Sequence, residues 1–232
     1  MRKNVKLIIE LSLFLLGLAI LIYPMITNYI YDKKVEKLEK KYNETIEIKE
    51  QKKKFNDLYK LLEEKNRILY ETHQDSFVKQ IISYEKEELD LTKYGLNDNI
   101  IGFLQIPSID VNLPIYLGAS NENMRLGAAH LTGTSYPIGG TNTNTVFAAH
   151  RGFYAAKMFR HIDSINIGDS LFIKNFRETL EYKAVKTEVV TPDKLEKLTI
   201  QDNKDMVTIM SCHPFPYDYQ RYIVYFDRIK TN

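Results

Sequence analysis

The longest apolar stretch of the chain lies at residues 7–26, where Glu10, Ser12 and Pro24 interrupt an otherwise hydrophobic run. Its length, about 20 residues, is what a helix needs to cross the hydrocarbon core of a bilayer. Three of the first six residues are Lys or Arg, and positively charged flanks stay on the cytoplasmic side. Residues 1–31 are therefore predicted to form a cytoplasmic N-terminus and a transmembrane anchor, with the rest of the chain outside the cell.

A cleaved signal peptide is the alternative interpretation of this stretch. It requires a small-x-small cleavage site after a shorter apolar core. The segment that follows the core here reads Tyr23-Pro24-Met25-Ile26-Thr27-Asn28, which contains no such site. An uncleaved anchor is the favoured interpretation.

Residues 32–71 are predicted to form a charged helical stalk, since 22 of these 40 residues are charged and none is Gly or Pro. The apolar positions recur mostly every three or four residues, the spacing of an amphipathic helix. We expect two helices broken near residues 47–51. Because heptads are not sustained, a solvated spacer is favoured over a coiled-coil partner site, with its second half packing on the following domain. The apolar positions are Val35, Leu38, Tyr42, Ile46, Phe55, Leu58, Leu62 and Leu69.

Residues 72–97 show little periodicity and are predicted to be a connector, which at this length is functional or disordered. From residue 98 the pattern becomes one of short strands separated by Gly and Pro turns, which predicts a mainly β domain, most simply a barrel, over residues 98–232. Short helices are expected at residues 121–126, 155–162 and 192–195. The predicted strands are residues 101–107, 111–116, 145–149, 170–174, 179–185, 206–211 and 221–226.

Composition narrows the function classes. The chain has 232 residues, 44% hydrophobic and 27% charged, which is typical of a globular protein. Residues 1–71 are net positive and the remainder is slightly acidic, so nothing resembles a polyanion-binding face and no nucleic acid is expected as a partner. A single cysteine excludes an internal disulfide and a cysteine-based zinc cluster. Neither a metal nor another cofactor is expected.

That cysteine, Cys212, ends an apolar strand and precedes the segment His213-Pro214-Phe215-Pro216, which cannot continue a β-ladder. A cysteine inside a strand is more often a small buried hydrophobe. At the end of a strand, beside a loop that can hold a substrate, a functional role is equally plausible. Position alone leaves both interpretations open.

Arg221 begins the next predicted strand, nine residues after Cys212. A loop of this length lets the chain reverse, and antiparallel pairing would place Arg221 next to Cys212. A guanidinium there stabilises the oxyanion that develops on an attacked carbonyl. The alternative is a surface arginine paired with Asp218 or Asp227.

A thiol nucleophile needs a proton partner, and the chain has five histidines. His213 adjoins Cys212 and would point to the opposite face of an extended strand, while His73 lies in the connector and His161 in a predicted helix. His130 and His150 each follow an apolar stretch. His150 is modestly favoured because it ends a clear strand, although either could be a buried histidine satisfied by hydrogen bonds.

Taken together, these motifs resemble the sortases, the membrane-anchored cysteine transpeptidases of Gram-positive bacteria, over roughly residues 98–229. The resemblance rests on Thr208-Ile209-Met210-Ser211-Cys212, on Arg221, and on Ala149-His150-Arg151-Gly152. Residues 102–110, 113–116 and 130–140 look most like the class C, pilus-assembling members. The fold implied is a closed β-barrel with short helices, preceded by the transmembrane helix and the helical stalk.

The resemblance also implies roles for individual residues. Cys212 would be the nucleophile, His150 the proton donor and acceptor, and Arg221 the oxyanion-binding or substrate-positioning residue, which leaves His130 with a structural role. Class C members usually carry a lid with an Asp-Pro-aromatic motif upstream of the barrel. The connector contains Asp75-Ser76-Phe77 at a comparable place, so Asp75 and Phe77 are candidate lid residues; the alternative is a helix-end Asp and a packed Phe.

The implied reaction cleaves a Leu-Pro-x-Thr-Gly-like sorting signal of a pilin or surface protein between Thr and Gly. The Thr is then joined to a Lys amine of another pilin subunit. Two alternatives remain open: a sortase of another class that uses a peptidoglycan amine, and a membrane-anchored scaffold without activity.

Overall fold

A computed structural model describes residues 2–72, 89–97, 99–152 and 156–229. Its N-terminal part consists of helix α1 (Arg2–Ile46), a 3-10 turn (Lys49–Gln51) and helix α2 (Lys52–Thr72). The predicted break near residues 47–51 is confirmed. α1 continues without interruption from the apolar stretch into the charged region, and it is long and apolar enough to cross a membrane.

Both helices pack their apolar faces on the following domain. Leu58 and Leu62 of α2 are fully buried, and burying a leucine contributes about 1.5–3 kcal/mol. This confirms the expected packing of the second half of the stalk. The first half is not the solvated spacer that was expected, because Val35 and Tyr42 of α1 are buried in the same core. The Tyr42 hydroxyl also donates to the carbonyl of Ile101 at 2.7 Å, so the apolar spacing of the stalk marks a docking face.

From Ile100 onward, the described residues form a closed barrel of eight strands. The strands are β1 (Ile100–Ile106), β2 (Val111–Leu117), β3 (Ala128–His130), β4 (Thr143–Ala148), β5 (Ser170–Asn175), β6 (Thr179–Val190), β7 (Asp205–His213) and β8 (Gln220–Arg228). Around the barrel they follow the order β1-β2-β3-β4-β7-β8-β6-β5. The β2–β3 and β4–β7 pairs are parallel and all other pairs are antiparallel. A short helix, α3 (Asn121–Leu126), connects β2 to β3.

The predicted barrel and its seven predicted strands are confirmed. The sequence missed β3, which has only three residues and therefore shows no alternation. Helix α3 is confirmed, but the helix expected at residues 155–162 is wrong over its described part, where turns lead into a 3-10 helix at Ile162–Ser164. The short helix expected at residues 192–195 is a 3-10 helix at Leu195–Leu198.

The parallel β4–β7 pair is buried on both faces, which explains its continuous apolar sequence. On the inner face, Phe147 and Ile209 belong to the barrel core. On the outer face, Val146 and Met210 belong to a second apolar cluster that also includes Leu198. Two-sided burial holds this strand pair firmly, and the candidate site lies where the pair ends.

Candidate active site

Cys212 and Arg221 lie directly opposite each other on β7 and β8. This confirms the antiparallel pairing predicted from their spacing. Side chains of directly opposed residues share one face of a sheet, with Cβ atoms about 4.5–5.5 Å apart. Cys212 is a half-buried free thiol, and it lines the same groove as Arg221.

The guanidinium of Arg221 is held by the loop that precedes β8. It donates to the carbonyl oxygens of Asp218 at 2.6 Å and Gln220 at 2.9 Å. Asp218 therefore meets Arg221 through its backbone, whereas the carboxylate of Asp227 forms an ion pair with Lys204 at 3.1 Å. These contacts differ from the predicted alternative of a carboxylate partner, and they hold the guanidinium against its own loop.

His150 follows β4 and reaches the same place because β4 runs parallel to β7. The pairing ends at Ala148 opposite Met210, so two further residues bring His150 level with Cys212. The Ser211 hydroxyl donates to the carbonyl of Ala149 at 2.7 Å. The two strand ends are thus fastened together one residue before the histidine and one residue before the cysteine.

Cys212, His150 and Arg221 line a single groove of about 330 Å³. Among the described residues, small and apolar side chains and α3 form the walls of the groove, and these residues leave it open to solvent. An extended peptide entering it would meet a thiol, an imidazole and a guanidinium together. The remaining lining residues are Ala119, Asn121, Met124, Ala148, Ala149, Met210 and Ser211.

The electrostatic surroundings of His150 favour its neutral form. Burial lowers the pKa of His150, and the positive charge of Arg125 on α3 lowers it further, because both effects disfavour the imidazolium. A neutral imidazole next to a thiol is suited to accept the proton of that thiol.

His130, the other histidine that the sequence left open, is completely buried in the barrel wall. Its Nε2 lies 3.0 Å from the carbonyl oxygen of Ser135, and its ring stacks on Tyr136. The structure thus places His130 in the core, with its polar contacts made to the chain immediately after β3. The structure therefore brings His150, and not His130, to the groove with the cysteine.

Arg151 is distinguished in the sequence only as part of the motif Ala149-His150-Arg151-Gly152. Its side chain is 6% exposed, and its Nη1 lies 3.3 Å from the carbonyl oxygen of Cys212 and 2.7 Å from Nδ1 of His213. The sequence signal for it was its place directly after His150, and nothing in the sequence indicated its partners. The two candidate lid residues, Asp75 and Phe77, lie outside the described residues.

Comparisons with known proteins identify the family of the barrel domain. The sortase-domain family model matches residues 104–229. Sortase D of Bacillus subtilis is 30% identical over 131 residues, which cover 55% of this chain and 63% of that protein; the chain thus spans less than two thirds of that relative.

Solved structures of class C sortases are similar over most of the chain. Sortase C1 of group B Streptococcus pilus island 1 superposes with a TM-score of 0.77 at 27% identity, over 85% of this chain and 99% of that one. Clostridium perfringens sortase C, solved with the C-terminal cell wall sorting motif, superposes with a TM-score of 0.69 at 32% identity, over 83% and 98%. With the barrel, the groove and the family match in agreement, this chain belongs to the sortase family.

Proposed function

We propose that this chain is a membrane-anchored cysteine transpeptidase that joins a pilin or surface protein to an amine through a thioester on Cys212. The observation that carries the proposal is the meeting of Cys212, His150 and Arg221 in one open groove. A nucleophile, a proton carrier and an oxyanion-binding cation are the groups that acyl transfer requires.

The first half-reaction forms the thioester. The proton of Cys212 passes to His150 as the sulfur attacks the Thr carbonyl carbon of a Leu-Pro-x-Thr-Gly-like signal. Arg221 stabilises the negative charge that develops on the carbonyl oxygen. The bond from Thr to Gly then breaks, and His150 gives its proton to the departing Gly amine.

The second half-reaction transfers the acyl group. An amine attacks the thioester carbon, the carbon–sulfur bond breaks, and His150 moves the proton of the amine to the leaving sulfur. We propose a Lys side chain of another pilin subunit as the acceptor, because the structural neighbours are class C sortases. A peptidoglycan amine would use the same three residues and differ only in the product.

The position of the groove relative to the membrane supports an extracellular reaction. The N-terminal part of α1 is long and apolar enough to span a bilayer, and the cations before it favour a cytoplasmic N-terminus. The Tyr31 hydroxyl donates to the carbonyl of Leu126, the last residue of α3. The groove wall is therefore attached to the segment that would emerge from the membrane.

Product analysis with the full chain in detergent micelles tests this function. A peptide carrying Leu-Pro-x-Thr-Gly is incubated with equal amounts of a Lys-containing peptide and a peptidoglycan-type branched peptide, and Cys212→Ala is the control. We expect a product in which Thr is joined to the Lys side chain, with none from Cys212→Ala.

If the only product is joined to the peptidoglycan amine, the transpeptidase activity is supported, but the acceptor is a peptidoglycan amine instead of a pilin. The same product from Cys212→Ala, or no cleavage of the peptide by the native chain, would contradict the proposed function.

A further inference from the structure

The backbone ladder that joins β4 to β7 stops just before the two reactive side chains. Its register runs from Thr143 opposite Asp205 to Ala148 opposite Met210. The next backbone bond, from the amide of Ala149 to the carbonyl of Met210, is already long at 3.4 Å. Beyond this point, hydrogen bonds from side chains hold the two strands together.

Two side chains bridge the strands here, one on each side of His150. Before it, Ser211 is bonded to the carbonyl of Ala149. After it, Arg151 donates through Nη1 to the carbonyl oxygen of Cys212 at 3.3 Å and to Nδ1 of His213 at 2.7 Å. His150 therefore lies between two bridges that both end on the strand of the cysteine.

The other nitrogens of the Arg151 guanidinium contact the loop at residues 160–163. Nη2 forms an ion pair with Asp163, and Nε lies 3.5 Å from the carbonyl oxygen of Arg160. The backbone of this loop returns to the site as well, because the amide of Phe159 donates to the carbonyl of His150 at 3.0 Å. One guanidinium thus joins the end of β7, the turn after His150 and the loop at residues 160–163.

Burying a guanidinium costs free energy unless its donors are satisfied. Asp163, the carboxylate among the partners of Arg151, is 43% exposed. The ion pair alone therefore offsets little of the free-energy cost of burying the guanidinium. The fixed planar fork of arginine can serve several acceptors in one geometry, which an ammonium cannot. A buried arginine with several acceptors is therefore expected where groups must be held in a fixed geometry, rather than where a net charge is needed.

We propose that Arg151 is a positioning residue that ties the end of β7 to the turn after β4 and thereby sets the placement of Cys212 against His150. The proposal rests on the proposed function, since that placement matters only if the two side chains react together. Displacing a reacting group by about 1 Å costs on the order of 10²-fold in rate.

The contact with His213 has a spectroscopic consequence. Because a guanidinium only donates hydrogen bonds, Nδ1 of His213 must accept, and the proton of the neutral ring is on Nε2. The nitrogen resonances of His213 therefore report whether the Arg151 bridge is formed, independently of any reaction.

The test compares Arg151→Met and Arg151→Lys with the native chain, all at full length in micelles. Arg228→Met is the matched control, because Arg228 is a largely buried arginine at the other end of β8. For each protein, kcat and KM for thioester formation with a sorting-signal peptide, the nitrogen spectrum of His213 and the unfolding temperature are measured.

We expect Arg151→Met to lower kcat by about 10- to 100-fold, with KM changed by less than about 2-fold, and to alter the Nδ1 resonance of His213. Arg151→Lys keeps the charge but loses the fork and should fall in between. Arg228→Met should lose thermal stability while retaining kcat and the native His213 spectrum.

A folded Arg151→Met with native kcat would overturn the positioning role. If Arg151→Met does not fold, Arg151→Lys decides: a lowered kcat at constant KM supports the role, and a native kcat overturns it. If the native chain forms no thioester, the proposed function itself is contradicted and the positioning role falls with it. If the native chain forms the thioester and the variants keep a native kcat, only the positioning role is contradicted.

Discussion

Both ends of the β4–β7 strand pair carry polar groups, but the surroundings of these groups differ. At the first end, the carboxylate of Asp205 accepts hydrogen bonds from the Gly140 amide at 3.0 Å, from the Thr143 hydroxyl at 3.4 Å and from the Tyr182 hydroxyl at 3.0 Å. At the second end, Cys212 and its neighbours face an open groove. Convergent partners close the first end, whereas the side chains at the second end line a groove in which we propose that the reaction takes place.

A polar residue at the end of a buried strand therefore does not by itself indicate chemistry. Burial raises the pKa of Asp205 more than its hydrogen bonds lower it, yet this carboxyl is enclosed by its own fold. His150 has a pKa shifted by burial as well, but it lines a groove. The presence of a groove, and not the pKa shift, therefore distinguishes the end that we propose to be reactive from the structural end.

Removing His150, the proposed proton carrier, should have the largest effect. His150→Gln keeps a similar volume but cannot exchange protons, and general acid–base catalysis contributes about 10²–10⁴-fold. We expect kcat/KM for the sorting-signal peptide to fall by that factor while the unfolding temperature stays within about 2 °C of the native value. Steady-state kinetics and thermal unfolding measure the two quantities. Activity within twofold of native would remove His150 from the reaction.

Removing the acceptor at the closed end should have an intermediate effect, on stability alone. Asp205→Ala leaves the amide of Gly140 and the hydroxyl of Tyr182 without this acceptor, and such losses cost about 1–3 kcal/mol. Denaturant unfolding should show this loss, while kcat of the folded protein stays unchanged. A lowered kcat with unchanged stability would break the distinction between the two ends.

The smallest expected effect concerns the charge beside the groove. Because the positive charge of Arg125 disfavours the imidazolium, Arg125→Gln should raise the pKa of His150, while burial continues to hold it below the ordinary value of about 6.5. NMR titration of labelled histidine measures the change. Raising the salt to 1 M should shrink the difference between the native and variant proteins, since exposed charges are screened.

Glu122→Gln provides the control for this variant, because Glu122 is an exposed charge on the same short helix. A native pKa in Arg125→Gln would mean that burial alone accounts for the shift of His150.

Much of this fold follows from local pattern. Strand alternation predicted seven strands, and a nine-residue spacing predicted the pairing of Cys212 with Arg221. β3 could not be predicted because its three residues, Ala128–His130, form a strand only through their partners on β2 and β4. The helix expected near residue 160 failed because Phe159 and Ile162 are buried by turns that pack against the barrel.

The site was less predictable than the fold. Pattern alone could not choose between His130 and His150, since both follow apolar stretches; the parallel β4–β7 register makes that choice. Nor could the partners of Arg151 on β7 be found, because they are the backbone carbonyl of Cys212 and a ring nitrogen of His213, which lie 61 and 62 residues away. Contacts of this kind depend on tertiary placement and leave no periodic signal.

Trapping the thioester would show whether Cys212 is the nucleophile. The full chain is mixed with a sorting-signal peptide in the absence of an amine acceptor, quenched in acid, digested and analysed by tandem mass spectrometry. We predict an added mass equal to the peptide up to its Thr, located on the fragment that contains Cys212 and absent from Cys212→Ala. No adduct on the native chain, or an undiminished adduct on Cys212→Ala, would contradict the proposed thioester on Cys212.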